Sequence, residues 1–236
     1  MEIAPRVHQL WGFGCQVFAL VGDRVTLIDA GAPGNTRVVL RQLRGLGIAP
    51  SDVERIVVTH YHLDHRGALN ELQRATGASV LVHSSEAPFF RGEQRFPNPV
   101  NRDHAPRLAA LTDALFAATR GRPLAVDELE DGDTIDVLEG LQVLHTPGHT
   151  RGSVVLWLPE QRLLFAGDTM GFRRKRLELP DPRVTEDPAL AMASLERLAG
   201  LDVDAICFSH FQPLPEGARN ALEKLVGGWS EEFKAS

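Results

Sequence analysis

The stretch Thr59-His60-Tyr61-His62-Leu63-Asp64-His65 carries four candidate metal ligands within six positions. It follows a short β-branched run that predicts a buried strand, and it leads into a segment with helical spacing of apolar residues. In an extended segment His60 and His62 project to the same side, so both imidazoles can reach one cation. The turn into the helix then offers Asp64 and His65 to a second cation nearby. The stretch therefore predicts a metal site where a strand ends.

The remaining strand-like and helical runs fall into alternating blocks. A first block of strand-like runs ends at Ile28, and a helix is predicted over about Thr36–Leu46. A second block lies between Leu124 and Ala166, and helices are predicted from Pro188 to Leu198 and over about Ala218–Val226. Blocks in this order suit two packed sheets with helices outside.

Composition limits the classes of protein and partner. The 236 residues include 21 Gly and 15 Pro, which favours a loop-rich α/β fold over a helix bundle. No linker or repeat interrupts the chain, so we expect residues 1–236 to form a single domain. The cysteines Cys15 and Cys207 lie in apolar runs and are predicted to be free, buried thiols.

Charge and hydropathy exclude some partners. The net charge of −6 gives no basic surface for nucleic acid or an anionic membrane. No apolar run approaches the roughly 20 residues of a spanning helix, and the first residues lack the pattern of a secretory leader. We therefore expect a cytoplasmic protein that acts on a small molecule. Both a monomer and a homodimer remain open.

Four further segments end strands in the same way as the histidine-rich stretch. They are Leu27-Ile28-Asp29-Ala30-Gly31, Thr146-Pro147-Gly148-His149-Thr150, Phe165-Ala166-Gly167-Asp168-Thr169 and Ser209-His210. Together the five segments resemble the motifs of the metallo-β-lactamase fold superfamily, and the resemblance covers nearly the whole chain. It implies a four-layer αββα sandwich, in which two mixed sheets are flanked by helices.

The resemblance also assigns a role to each residue that matches a motif. By that assignment the first metal is held by His60, His62 and His149, and the second metal by Asp64, His65 and His210. Asp168 would bridge the two metals, and Asp29 would support the ligand loop without binding metal.

This ligand set indicates the chemistry. Imidazoles combined with carboxylates suit two zinc ions, with iron or manganese as alternatives. The di-iron relatives carry a glutamate where this chain has His62. Two metals about 3.5–4 Å apart would bind a bridging hydroxide that attacks an acyl carbon. Asp64 is the expected catalytic residue, because it can hold that hydroxide and pass its proton to the leaving group.

The substrate class is less constrained than the metal site. We expect a hydrolase of a small ester, lactone or thioester. Only 26 residues follow His210, which leaves no room for the glutathione-binding domain of glyoxalase-II-like relatives. Tyr61 is the only tyrosine and lies inside the motif, so the lactonase pattern is incomplete. A mononuclear iron persulfide dioxygenase, a phosphodiesterase of the same fold and a non-catalytic metal-binding module remain alternatives.

Two segments are candidates for the substrate pocket. Residues 88–101 carry Phe89, Phe90 and Phe96 among prolines, and these rings either present an apolar wall or anchor the loop to the core. Phe172 is a further candidate wall residue. The basic run at 173–176 either attracts an acidic substrate or forms a solvated loop.

Overall fold

The computed structural model of the protein describes residues 1–118 and 124–234. In these residues the strands are β1 Glu2–Ala4, β2 Val7–Leu10, β3 Val17–Val21, β4 Val25–Ile28, β5 Val53–Val57, β6 Ser79–His83, β7 Asp127–Leu129, β8 Thr134–Ile135, β9 Leu141–His145, β10 Val154–Leu158, β11 Leu163–Phe165, β12 Gly171–Arg173, β13 Arg176–Glu178 and β14 Ala205–Cys207. The α-helices are α1 Thr36–Gly45, α2 Leu63–Arg66, α3 Leu69–Thr76, α4 Ala87–Phe90, α5 Pro106–Ala118, α6 Pro188–Leu198 and α7 Ala218–Lys234.

The strands form two mixed sheets and a separate hairpin. The first sheet follows chain order from β1 to β7, antiparallel as far as β4 and parallel from β4 to β7. The second sheet has the order β14-β11-β10-β9-β8, and only the β11–β14 pair is parallel. Strands β12 and β13 pair with each other outside both sheets.

Three apolar layers hold the two sheets and the helices together. Val39 of α1 and Leu72 of α3 pack on one face of the first sheet. Phe18 of the first sheet meets Phe165 of the second, with ring centroids 5.2 Å apart, in the layer between the sheets. A third layer packs α6 and α7 on the outer face of the second sheet. The chain is therefore the αββα sandwich that the sequence predicted.

The helical spacing after the histidine-rich stretch predicts one helix from Asp64 to about Ala75, but the structure divides it into α2 and α3. Between α2 and α3 the amide of Ala68 donates to the carbonyl of Gly31, at 3.1 Å, and not to the preceding turn. A Cβ atom at Gly67 would lie 2.3 Å from Cδ of Pro33, so the loop after β4 approaches the chain closely here. The break fixes the histidine-rich stretch against the loop that carries Asp29.

Other predicted bounds shift by a few residues. The helix predicted to end at Val226 continues to the end of α7, and the strand predicted from Leu124 begins at Asp127. The sequence also predicts a helix over about Arg107–Thr119, which matches α5, but Thr119 itself lies outside the described residues. Within the described ranges, no helix combines the length and the apolar character needed to cross a membrane.

Candidate metal centre

The predicted ligands meet at one edge of the sandwich because each follows the end of a strand. The stretch after β5 carries His60, the loop after β9 carries His149, and β11 and β14 lead to Asp168 and His210. The parallel pairs β4–β5 and β11–β14 place their carboxyl ends at the same edge of their sheets. A hydrogen bond of 3.0 Å from the amide of Val154 to the carbonyl of Thr59 joins the two sheets at this edge.

Three imidazoles form the buried part of the site. One ring nitrogen from each of His60, His62 and His149 lies within 4.8 Å of the others. The Nε2 atom of His149 lies 3.1 Å from the Nδ1 atom of His62. The Nε2 atom of His60 is buried and has no hydrogen-bond partner among the described residues. Buried polar atoms without a partner are costly, so this nitrogen is suited to a ligand.

Two threonines determine which ring nitrogens carry protons. The hydroxyl of Thr59 donates to the Asp29 carboxylate, at 2.9 and 3.0 Å, so its oxygen is left to accept from Nδ1 of His60 at 3.1 Å. The hydroxyl of Thr185 donates to the carbonyl of Asp181, and its oxygen lies 3.3 Å from Nδ1 of His149. Both rings therefore keep Nε2 unprotonated, which is the state that binds a metal.

A second group lies beside the first and is more open to solvent. The Nε2 atoms of His65 and His210 are 3.3 Å apart, and Asp64 Oδ2 lies 3.3 Å from His210 Nε2. The side chain of Asp64 is 43% exposed and that of His210 is 31% exposed, whereas His65 is fully buried. A substrate therefore has access to the site on the side of Asp64 and His210.

Asp168 lies between the two groups. Its Oδ1 atom is 3.5 Å from Nε2 of His65, and its Oδ2 atom is 3.7 Å from Nε2 of His149. Burial alone would raise the pKa of Asp168, but the neighbouring His65 and His210 lower that pKa well below its usual value. The carboxylate is therefore ionised, and it lies near ring nitrogens of both groups, with Oδ2 also 3.2 Å from Nε2 of His210.

Asp29 lies behind the ligands and orients His65. It adopts a left-handed φ of 62°, which is uncommon outside glycine but tolerated by aspartate. In this conformation its carboxylate accepts from the amide of Thr59 at 2.8 Å and from Nδ1 of His65 at 2.8 Å. Because the carboxylate has no proton to donate, Nδ1 of His65 carries the proton and Nε2 faces the site. Asp29 therefore orients the ring of His65 through Nδ1.

Cys15 lies next to this support, which its sequence context did not reveal. Its sulfur, an Asp29 oxygen and a His65 nitrogen all lie within 4.8 Å of one another. Burial raises the pKa of Cys15 to about 11, so the thiol stays protonated at neutral pH. Metal binding requires the thiolate, so Cys15 packs behind His65 as a neutral group.

Burial also keeps the first three rings neutral. It lowers the pKa values of His60 and His62 well below the usual range and that of His149 to about 4. Neutral imidazoles next to an ionised Asp168 are the donor set that zinc prefers. The residues at this edge therefore fit the binding of divalent metal.

Glu86 is a further buried carboxyl at the site, and the sequence analysis did not identify it. It accepts hydrogen bonds from the hydroxyl of Thr150 and, at 3.2 Å, from the amide of Gly152. Thr150 directly follows His149 in the chain. Glu86 therefore supports the loop that carries His149.

A cavity of about 710 Å³ opens over these ligands. Its lining includes the predicted ligands His62, Asp64, His149, Asp168 and His210. Its apolar wall is formed by Ala32, Pro33, Leu63, Pro99, Met170, Leu179, Pro180, Pro182, Val184 and Phe211. A cavity of this size with a few polar groups suits a small molecule.

The phenylalanines predicted to line the pocket lie elsewhere. Phe89, Phe90 and Phe96 are 4–6% exposed and belong to the core layer under the first sheet. Phe96 stacks under the guanidinium of Arg66, and Phe89 packs on Tyr61 with ring centroids 5.6 Å apart. Of the two alternatives for these rings, the apolar pocket wall was wrong. The rings anchor their loop to the core, behind the histidine-rich stretch.

Phe172 was also misplaced by the sequence analysis. Its ring stacks on Phe208 of the outer core layer, with centroids 5.4 Å apart and planes inclined by 3°. Its neighbours Gly171 and Arg173 line the cavity instead. In a strand, successive side chains point to opposite faces, so Phe172 points away from the cavity that its neighbours line.

The comparisons with known proteins agree with this geometry. The family model described as Metallo-beta-lactamase superfamily matches residues 10–210. The chain therefore belongs to the metallo-β-lactamase superfamily.

Individual relatives and structures are similar over different shares of the chain. The probable metallo-hydrolase YflN of Bacillus subtilis is 28% identical over 213 residues, which cover 85% of this chain and 80% of that protein. The acyl-coenzyme A thioesterase MBLAC2 of Homo sapiens is 33% identical over 129 residues, 48% of this chain and 40% of that protein. The metallo-β-lactamase family protein TTHA1429 of Thermus thermophilus superposes with a TM-score of 0.72 at 25% identity, covering 99% of this chain and 82% of that structure. These findings confirm the expected class of enzyme, a metal-dependent hydrolase.

Proposed function

We propose that this protein is a dizinc hydrolase of carboxylic thioesters and esters. The observation that carries the proposal is the position of Asp168 between two groups of ring nitrogens, 3.5 Å from His65 and 3.7 Å from His149. One zinc would be held by His60, His62 and His149, and the other by Asp64, His65 and His210, with Asp168 shared. When bound, the zinc pair would supply a bridging hydroxide at neutral pH and polarise an acyl carbonyl.

The residues of the chain would divide the remaining tasks. Asp64 is the candidate catalytic residue, because its half-exposed carboxylate reaches the cavity beside His210. It would accept the proton of the attacking water and return it to the departing thiolate or alkoxide. The hydrogen bond from Nδ1 of His65 to Asp29 would keep Nε2 of that ring directed at the site.

The cavity and the relatives favour an acyl substrate. Apolar side chains such as Met170, Leu179 and Phe211 beside the ligands suit the hydrocarbon part of an acyl group. The relative named acyl-coenzyme A thioesterase supports the same class of bond. Phosphodiesters and glutathione thioesters are expected to be poor substrates.

A substrate panel on zinc-loaded protein tests the proposal. The panel contains the butyryl thioester of N-acetylcysteamine, p-nitrophenyl butyrate, a γ-lactone, S-lactoylglutathione and bis(p-nitrophenyl) phosphate. We expect turnover of the first two to exceed that of the phosphodiester, and Asp64→Asn to lower it by about 100-fold or more. Phosphodiester turnover about tenfold above ester turnover would contradict the proposal. Oxygen uptake with a persulfide on iron-loaded protein would instead favour a dioxygenase.

A further inference from the structure

The hairpin of β12 and β13 begins three residues after Asp168 and forms one side of the cavity. Its register pairs Gly171 with Glu178, Phe172 with Leu177 and Arg173 with Arg176. Phe172 and Leu177 face the outer core layer and anchor the hairpin there. The opposite face carries Arg173 and Glu178, which line the cavity, and by strand alternation it also carries Arg176.

Four consecutive cations form the end of this hairpin. Arg173, Arg174, Lys175 and Arg176 are all exposed, although the chain as a whole has a net charge of −6. Among the side chains that the structure describes, the only ion pair of these four cations joins Arg173 to Glu178, at 3.9 Å. Asp181, another acidic residue that lines the cavity, is already paired with Arg183 at 2.5 Å. Arg174, Lys175 and Arg176 therefore have no acidic partner among the described side chains.

This arrangement is unfavourable by the ordinary rules for hairpins. Arg173 lies directly opposite Arg176, and like charges in such a pair destabilise a sheet. The turn residues Arg174 and Lys175 adopt left-handed φ values of 47° and 65°, where asparagine and glycine are preferred. Residues that destabilise the local structure in which they lie are often found at functional sites. The hairpin is therefore a candidate binding element.

We propose that this hairpin binds the phosphate groups of the carrier to which the acyl group is attached, so that the substrate is an acyl thioester of coenzyme A or a similar nucleotide. The inference rests on the proposed function and specifies its substrate class. Guanidinium groups bind phosphate through paired hydrogen bonds, and three of the four cations are arginines. At most six residues, about 20 Å of extended chain, separate Asp168 from the turn, so a carrier whose phosphates lie within that distance of the reacting carbonyl can reach the hairpin.

The test compares two triple variants that lose the same number of charges. The first removes the cations from the end of the hairpin, with Arg174→Gln, Lys175→Gln and Arg176→Gln. The matched control removes three exposed arginines from α1 and α3, with Arg41→Gln, Arg44→Gln and Arg74→Gln. Binding of free coenzyme A to the metal-free proteins is measured by calorimetry, and hydrolysis is measured with butyryl-coenzyme A and with butyryl N-acetylcysteamine, which has no phosphate.

We expect the hairpin variant to bind coenzyme A at least about tenfold more weakly, because it lacks three of the cations proposed to hold the phosphates. Its KM for butyryl-coenzyme A should rise to a similar extent at constant kcat, with no change for the N-acetylcysteamine thioester. The control variant should match wild type in every measurement. Unchanged binding of coenzyme A by the hairpin variant, or an equal effect of the two triple variants, would overturn the inference.

Failure of the proposed function gives a different result. If zinc-loaded wild type hydrolyses neither thioester, the proposed chemistry is wrong. Hairpin-dependent binding of coenzyme A by the metal-free protein would still support the phosphate site in that case, because that measurement requires no turnover.

Discussion

The Nδ1 atom of His62 lies 3.1 Å from the Nε2 atom of His149, although 87 residues separate the two rings in the chain. The proton of His149 is on the other nitrogen, next to Thr185, so Nε2 presents a lone pair toward His62. Two buried ring nitrogens directed at each other are unfavourable unless a proton or a cation lies between them. This contact is the local reason to place a metal ion at the end of β5.

Removal of Asp168 should have a larger effect than removal of Asp29. Asp168→Ala should lose at least one metal ion and nearly all activity, because its two oxygens face both ligand groups. Asp29→Ala should weaken zinc binding by only about 10–100-fold, as expected for a residue that orients a ligand. Zinc affinity of both variants, measured by competition with a chelator, checks this order. Equal effects would mean that the two aspartates do not have the separate roles assigned to them.

Glu86 should affect zinc binding without touching a metal. Glu86→Ala leaves the Thr150 hydroxyl and the Gly152 amide without their acceptor, and we expect zinc affinity to fall by about 10–100-fold. Glu86→Gln keeps one acceptor oxygen and should recover most of that loss. The readout is zinc affinity of folded protein, with circular dichroism as the control for folding. A loss as large in the glutamine variant as in the alanine variant would contradict the positioning role.

The same residue gives a pH dependence of stability. Burial raises the pKa of Glu86 from 4.5 to about 8, so between these values the folded protein holds a proton that the unfolded chain has released. The contribution of Glu86 to the free energy of unfolding therefore falls as the pH rises from 4.5 to about 8. Glu86→Gln cannot ionise, so the Tm of the metal-free variant minus that of wild type should increase between about pH 5 and about pH 9. A difference in Tm that stays constant over this range would show that Glu86 is not a buried, protonated acid.

Selectivity for acyl chain length should depend on Leu179 and not on Phe89. Leu179 lines the cavity, so Leu179→Ala should raise KM for butyryl esters more than for acetyl esters, by about 0.8 kcal/mol for each CH₂ that loses its contact. Phe89 lies in the core, so Phe89→Ala should cost about 3–5 kcal/mol of stability. The ratio of KM for butyryl esters to KM for acetyl esters should be the same in Phe89→Ala as in wild type. A change of chain-length preference in Phe89→Ala and not in Leu179→Ala would contradict this assignment and favour Phe89 as an apolar wall of the pocket.

The features that could be predicted are those determined by residues close together in the sequence. The spacing of His60, His62, Asp64 and His65 after a β-branched run located the site, and the alternating blocks of elements indicated two sheets with helices outside. The helix predicted from Pro188 to Leu198 matches α6, and the preceding Asp187 caps it by accepting from the amide of Leu190 at 2.9 Å. Each of these features depends on residues close together in the chain.

The features that the sequence did not predict depend on distant partners. The role of Glu86 depends on its hydrogen bond with Thr150, which is 64 residues away in the chain. No residue next to Glu86 in the sequence indicates that contact. The β12–β13 hairpin was predicted as a polar loop because its turn lacks the asparagine and glycine that mark such turns. An aromatic residue in a proline-rich loop is compatible with a pocket wall and with a core anchor, and only the packing of Phe89 on Tyr61 decides between them.

The central claim is a two-metal centre, and the metal content of the protein tests it most directly. Purified protein is stripped with a chelator, reloaded with zinc, freed of excess metal and analysed by inductively coupled plasma mass spectrometry, with Asp168→Ala in parallel. The account predicts about two zinc ions per chain in the wild type, fewer in the variant, and hydrolysis only in the loaded wild type. A single iron per chain in the protein as purified, measured before the chelator is added and accompanied by oxygen consumption with a persulfide substrate, would contradict it.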